Sequence, residues 1–510
     1  MSKKIFSGVA AASFIIVFFS LISKGLGFFR EIVFANSFGL SKDFDVYLIG
    51  SVIPTVVNTG IIYLGQNYFI PSYSKVKARG GDEKYFFNNI FWLFVLLGFI
   101  IGSIFFFGSN LIIGLYQPGI SEQTKQLAEK IFRVMSLTLP LNSASAIISA
   151  YLQAEYEFKT PAVSQLFINI SIIILTLIFS GTLNVLIIPL GYLIGMFLQF
   201  IYLFFKARGV LKINYFLSGN PSNILSHFSV SLLAIIIIEV ISQLYVIADR
   251  FFYKQVDVGG IAAMNYAQNL FLLPVGIFSI ALSTAILPKL SHNYYNHKDH
   301  ELSSQIITGL EMNNFISIPI SILFIFFGRE IVASLYQGGK FTPSDSITTF
   351  NVLRIFGISL IFYSAYSVLN KVLYGINAIK FLMIATAGGI SLKIFLNAFL
   401  VIKFKQDGLA LSTTLTYIVF FGISFIYVLS KVKLKTARKF SKDFFISLCN
   451  ACIAYFITKI FIGTLEIKSN IVIAVSVLFF LTIYATNAYL IKQNSIKLIY
   501  STVINMLYPN

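Results

Sequence analysis

Charge is what this chain has least of. Only 11% of its 510 residues are Asp, Glu, Lys or Arg, while 57% are hydrophobic. Soluble domains carry about 25% charged residues, so this composition excludes a soluble globular enzyme and implies an all-α polytopic membrane protein. Cysteine is nearly absent too. Cys449 and Cys452 are the only two, and both fall in one apolar segment, where they read as small packing residues rather than a redox or metal pair. A disulfide framework is excluded. No Gly-rich phosphate-cradling loop with Lys-Ser/Thr is present, which argues against ATP hydrolysis. No connection between apolar runs is long enough for a folded soluble domain. The outer connections are short and chemically plain, which weighs against a membrane glycosyltransferase or polymerase. No catalytic residues, resident cofactor or metal set stand out.

What the chain does have is apolar length. Fourteen runs of roughly 20 residues or more can each cross about 30 Å of hydrocarbon. The first is too long for a signal peptide and no small-residue cleavage site follows any run, so the first run is expected to stay in the mature protein. With Met1-Ser2-Lys3-Lys4 in the cytoplasm, basic residues on the inner side outnumber those outside roughly threefold. Both termini are therefore expected to be cytoplasmic. The net charge of +18 is explained by this bias and by attraction to anionic phospholipid, with its densest run at Lys431 to Lys442; nucleic acid is not needed as a partner. The loop Ser291 to His300 holds three of the four histidines, but their spacing fits no standard metal pattern and reads as a solvated loop.

The chain also repeats itself. Residues 104–119 lie over 324–339 at an offset of 220, with Phe106, Phe107, Gly108, Leu115, Tyr116, Gln117 and Gly119 recurring identically. The same offset carries Arg30 onto Arg250 and Pro54 onto Pro274. Two six-helix repeats of one ancestry follow, with lobes at 1–215 and 216–432 and two extra helices in 433–510. An even number of spans per repeat gives both lobes the same orientation, related by a pseudo-twofold axis along the membrane normal. Such proteins bind substrate between the lobes and move it by rocking.

Candidate site residues follow from charge at membrane depth, which is costly and normally faces a cavity or a partner. Ser23-Lys24-Gly25-Leu26-Gly27-Phe28-Phe29-Arg30-Glu31 puts two cations and a carboxylate beyond an apolar first segment, with Gly-Leu-Gly as a place to bend or unwind. Lys24 and Arg30, six positions apart, are expected to converge only if those glycines bend the span. Glu239 and Lys393 are further intramembrane charges, readable as a buried structural pair or as an ion or gating site. With no nucleotide site, an ion gradient or the membrane potential is the expected energy source.

These residues resemble the MurJ/MviN-type lipid flippase family of the multidrug/oligosaccharidyl-lipid/polysaccharide superfamily. The stretch Ser23–Glu31 with Phe38-Gly39 and Asp45 is similar to the family's opening motif. Ala150–Ala162 with Asn169-Ile-Ser171, Pro274-Val-Gly276 and Val368–Tyr374 are similar to later ones, and the match covers most of the chain. The resemblance implies transfer of a polyprenyl-diphosphate-linked glycan across the bacterial cytoplasmic membrane, with Lys24, Arg30 and Asp45 at substrate-contacting positions and other envelope-biosynthesis proteins as candidate partners. The family's peptidoglycan-precursor flippases carry an arginine in span two and Asp-Arg in span eight. Here Asn58 or Thr59 and Gln268-Asn269 stand there, so neutral amides are expected to read sugar or peptide groups. Cargo stays open between the peptidoglycan precursor and an O-antigen, capsule or exopolysaccharide unit. A cation-coupled small-molecule exporter and an inactive cell-wall scaffold remain as readings from other classes.

Overall fold

In a computed structural model of the chain, residues 2–211, 243–432, 437–463, 470–493 and 495–496 are described. Among them the regular structure is helical, with one isolated bridge, Gly338 to Phe341. Among the described residues, ten helices are long and apolar enough to cross a membrane. Two of the ten are broken by an internal residue of positive φ. Lys159–Ala207 breaks at Asn184 (φ 48°) and Ile379–Val432 at Lys405 (φ 52°). Side chains such as Phe107 (83% exposed) and Ile402 (77%) stand on the surface, where hydrocarbon rather than water can solvate them.

The chain forms two compact units, Met1–Lys254 with Gly338–Phe341, and Gln255–Gln337 with Thr342–Asn510. The first unit contains α1 (Ser2–Phe38), α2 (Lys42–Leu64), α3 (Ile70–Ala78), α4 (Glu83–Tyr116), α5 (Glu122–Ser136), α6 (Thr138–Ala154), α7 (Lys159–Ser164), α8 (Leu166–Leu183), α9 (Ile187–Ala207) and α10 (residues 243–251). Local chemistry fixes the ends. Gly39 takes a left-handed φ of 57° just past α1, the common glycine stop. Ser41 then caps α2 by accepting from the Phe44 N–H, with Asp43 and Asp45 in the first turn facing the positive end of the helix dipole. A π turn, Gly65–Phe69, joins α2 to α3 immediately before Pro71, whose missing N–H removes one helical bond.

Packing follows membrane rules, in which small residues and polar bonds replace hydrophobic drive. A Cβ at Gly50 would meet the Ala128 carbonyl at 2.8 Å, and one at Gly102 the Ser136 carbonyl at 3.0 Å, so α2 and α4 approach α5 closely. Phe69, Tyr73, Phe86, Phe87 and Ile147 form an aromatic core where α3, α4 and α6 meet.

In the second unit, α11 (Gly260–Pro274) passes through a second π turn, Val275–Ser279, into α12 (Ile280–Tyr295). The unit continues with α13 (Asp299–Phe326), α14 (Gly328–Tyr336), α15 (Pro343–Gly375) and α16 (Ile379–Val432). Thr342 and Asp345 form a reciprocal capping box with Pro343 at the first position of α15. The last helices, α17 (Ala437–Gly463) and α18 (Asn470–Leu490), dock on α13. Tyr484 donates to the Phe315 carbonyl at 3.1 Å and Asn450 to the Tyr484 carbonyl at 2.9 Å.

Candidate functional site

The centre of the first unit's chemistry is Arg30 on α1. Its Nε and Nη2 donate to Glu31 Oε1 at 3.3 and 2.7 Å. Its Nη1 donates to Asn169 Oδ1 on α8 at 3.1 Å and to the Tyr192 hydroxyl on α9 at 3.0 Å. Four of the five guanidinium N–H groups therefore have partners. The Arg30 side chain is 19% exposed and that of Glu31 7%. Paired this way, the two opposite charges can sit at depth, where an isolated one would be prohibitively costly. Phe34 and Tyr192 lend ring faces to the guanidinium.

The expected break does not occur. α1 stays helical through Gly25-Leu26-Gly27, because glycine permits unwinding without forcing it and the helical bonds there remain intact. A Cβ at Gly25 or Gly27 would meet nothing within 4 Å. Lys24 and Arg30 thus lie about 9 Å apart along the axis and about 120° apart around it. Lys24 is exposed while Arg30 faces α8 and α9.

Beside Arg30 lies a cavity of about 300 Å³ whose walls include Ser23, Gln66, Asn142, Ser145, Asn169 and Gln199. None of its lining residues is charged. Gln66 reaches it from the π turn, where the extra residue re-aims side chains.

The remaining expected residues fall elsewhere. Asp45 is fully buried, and its charge acts on the buried Arg250 next to Asp249; Gln117 donates to the Arg250 carbonyl at 2.6 Å. Asn58 is buried and ties α2 to α6. Its amide donates to Thr138 at 2.8 Å and its backbone carbonyl accepts from Asn142 at 2.9 Å. Gln268 and Asn269 are half-buried on α11 in the second unit. Lys393, also in that unit, is buried, with its ammonium donating to Thr413 at 3.1 Å. Glu239 lies outside the described residues. Among the described residues, no group of three or more His, Cys, Asp and Glu is placed to hold a metal.

Sequence reasoning missed three features. Glu311 is fully buried in the second unit, though its place inside an apolar run was a visible signal. Asn169 and Tyr192 were not connected to Arg30, although Asn169 sits in a quoted motif. The third is a knot at the α3 and α6 ends. Tyr73 donates to Glu83 at 3.0 Å and to Glu155 at 2.6 Å, and Lys77 donates to both Glu155 oxygens at 2.7 and 2.9 Å. Partial burial pushes the Glu155 carboxyl up, but the bonds from Lys77 and Tyr73 outweigh it and hold it below the ordinary carboxylate value.

A family model described as lipid II flippase MurJ matches residues 34–485. A protein of Buchnera aphidicola from Schizaphis graminum, named probable lipid II flippase MurJ, is 29% identical over 459 residues, 87% of each chain. Its Aquifex aeolicus counterpart of the same name is 31% identical over 363 residues, 69% of this chain and 70% of the other. A solved structure named lipid II flippase MurJ, inward closed conformation, matches with a TM-score of 0.77 at 24% identity, covering 97% of this chain and 99% of that one. An inward-facing multidrug MATE transporter matches at 0.68 and 13% identity, covering 80% and 94%. At these identities the two structural likenesses speak to the fold.

Proposed function

The chain belongs to the lipid II flippase MurJ family, and from that premise we propose that it moves lipid II from the inner to the outer leaflet of the bacterial cytoplasmic membrane. The family match along 34–485 carries this reading. A cation-bearing first helix supports it. A diphosphate needs positive donors, and Lys24 and Arg30 supply them, Arg30 by exchanging part of its Glu31 pairing for phosphate oxygens. Asp45 and Asn58 act by positioning helices, and Gln268 and Asn269 contribute neutral contacts. The protein is a transporter, so no catalytic residues are assigned.

In this reading the fourteen spans form six plus six plus two, both termini are cytoplasmic, and transport follows alternating access. One pair of contacts supports the repeat. Gly119, in the first copy of the Leu-Tyr-Gln-x-Gly motif, lies against the Lys254 ammonium. The second copy places Gly339 against the Asn36 carbonyl, with Lys340 N–H donating to that same oxygen at 2.8 Å. Both contacts lie within the first compact unit. The glycines on α1 let that helix flex during the cycle. The membrane potential or an ion gradient drives it, Lys393 serves the coupling or a structural pair, anionic phospholipid neutralises the inner basic loops, and envelope-biosynthesis proteins deliver or consume the cargo.

Complementation tests the cargo. The chain should restore growth to a bacterium depleted of its own lipid II flippase. Failure of a membrane-inserted, expressed protein would instead favour a surface-polysaccharide unit, the reading that the uncharged Asn58, Gln268 and Asn269 positions admit. Coupling is tested in vesicles: movement that survives collapse of all gradients would refute it.

A further inference from the structure

We propose that the neutral cavity inside the first unit receives the sugar ring joined directly to the diphosphate of the cargo, an inference that rests on the lipid-linked-glycan reading above. At about 300 Å³ the cavity could hold about ten waters and lies at the small end of ligand pockets. Nine of its thirteen lining residues carry an amide or hydroxyl, and none carries a charge. Two of those amides, Asn169 and Asn142, are oriented by bonds that leave one end of each over. Arg30 can only donate, so Asn169 must turn its oxygen to Arg30 and keep its NH2 in hand. The Asn58 carbonyl can only accept, so Asn142 must turn its NH2 outward to it and keep its oxygen. Ser145 is 2% exposed, and its hydroxyl has no hydrogen-bond partner. The cavity therefore presents a donor, an acceptor and an unmet hydroxyl, a pattern that water or a hydroxyl- and amide-bearing guest satisfies.

That pattern selects among guests. A phosphate or carboxylate would be desolvated here without a counter-charge, and an acyl or prenyl chain would strand the amides; both are costly. A neutral pyranose with hydroxyl or acetamido groups meets the polar walls, while its C–H face lies on Ile62, Ile168 and Met196. Position narrows the choice further. Asn169 is bonded to Arg30, and Ser23 directly precedes Lys24. If those cations grip the diphosphate, the group covalently next to it, the first sugar, is the one within reach of the cavity. Selectivity for the glycan then lies in the first unit, on Gln66, Asn142, Ser145 and Asn169.

The test uses the full chain in nanodiscs and two probes, lipid II and the bare polyprenyl diphosphate of the same chain length. The wild type should bind lipid II more tightly than the bare diphosphate. Ser149→Leu fills the cavity and Gln66→Leu removes a wall amide at an exposed position, so the second still reports if the first fails to insert. Each should weaken lipid II binding about tenfold and leave the bare diphosphate unchanged. Unchanged lipid II affinity in Gln66→Leu, or parallel loss of both probes, would overturn the cavity assignment alone. A wild type that binds neither probe would overturn the lipid-linked cargo itself.

Discussion

Replacing Gly25 and Gly27 by alanine together separates the stability of α1 from its use. Both glycines are helical, and a Cβ at either position meets no atom within 4 Å. No steric penalty opposes the change. Alanine is favoured over glycine in a helix interior by about 0.8–1.0 kcal/mol per residue, so the double variant should be more stable by up to about 2 kcal/mol. If α1 flexes at these glycines during transport, the same change should slow flipping several-fold. The assay pairs unfolding of the purified protein with lipid II movement in proteoliposomes. Higher stability with an unchanged transport rate would refute flexing at this point. Lower stability would refute the open surroundings of the two glycines.

Three further outcomes follow from named contacts. Arg30→Ala leaves the buried Glu31 carboxylate without its ion pair and should destabilise by about 3 kcal/mol or more; Arg30→Ala with Glu31→Gln should recover part of that, measured by a double-mutant unfolding cycle. Arg30→Lys should insert normally yet flip lipid II at least tenfold more slowly, since one ammonium cannot reach Glu31, Asn169 and Tyr192 together; full activity in the leaflet assay would contradict this. The Glu155 carboxyl is held below its ordinary value, so its contribution is present above the unfolded-state value and is lost as pH falls through the lowered folded one. The Tyr73–Lys77–Glu155 knot should thus persist from neutral pH to about pH 5 and loosen only below about pH 4; hydroxyl-radical footprinting of Tyr73 reads this, and exposure already at pH 6 would contradict it.

The membrane class was legible because scarcity of charge over 510 residues has few other physical meanings. Arg30 was legible for the same reason, as a charge at depth demands an explanation. Its partners were not. Asn169 and Tyr192 lie 139 and 162 residues away, and only the packing of α8 and α9 on α1 brings them in. Glu31 is adjacent in sequence, and neighbours one apart do not ordinarily face each other on a helix; the length of the arginine stem makes the pairing. The cavity was invisible because its amides are scattered over several helices, each unremarkable alone. Gly-Leu-Gly misled in one respect, since it marked a permitted break that the helix does not take. Nor did the sequence show that the NH2 of Asn58 donates to Thr138, 80 residues away.

Flipping itself can be measured with purified, full-length protein in proteoliposomes loaded with lipid II, with leaflet exposure read by a membrane-impermeant enzyme that modifies the headgroup. The protein should speed exposure of the inner pool well beyond protein-free vesicles, an imposed membrane potential should accelerate it, and ordinary phospholipid should not move with it. Inserted protein that leaves lipid II as static as in empty vesicles, or that scrambles phospholipid equally, would contradict this.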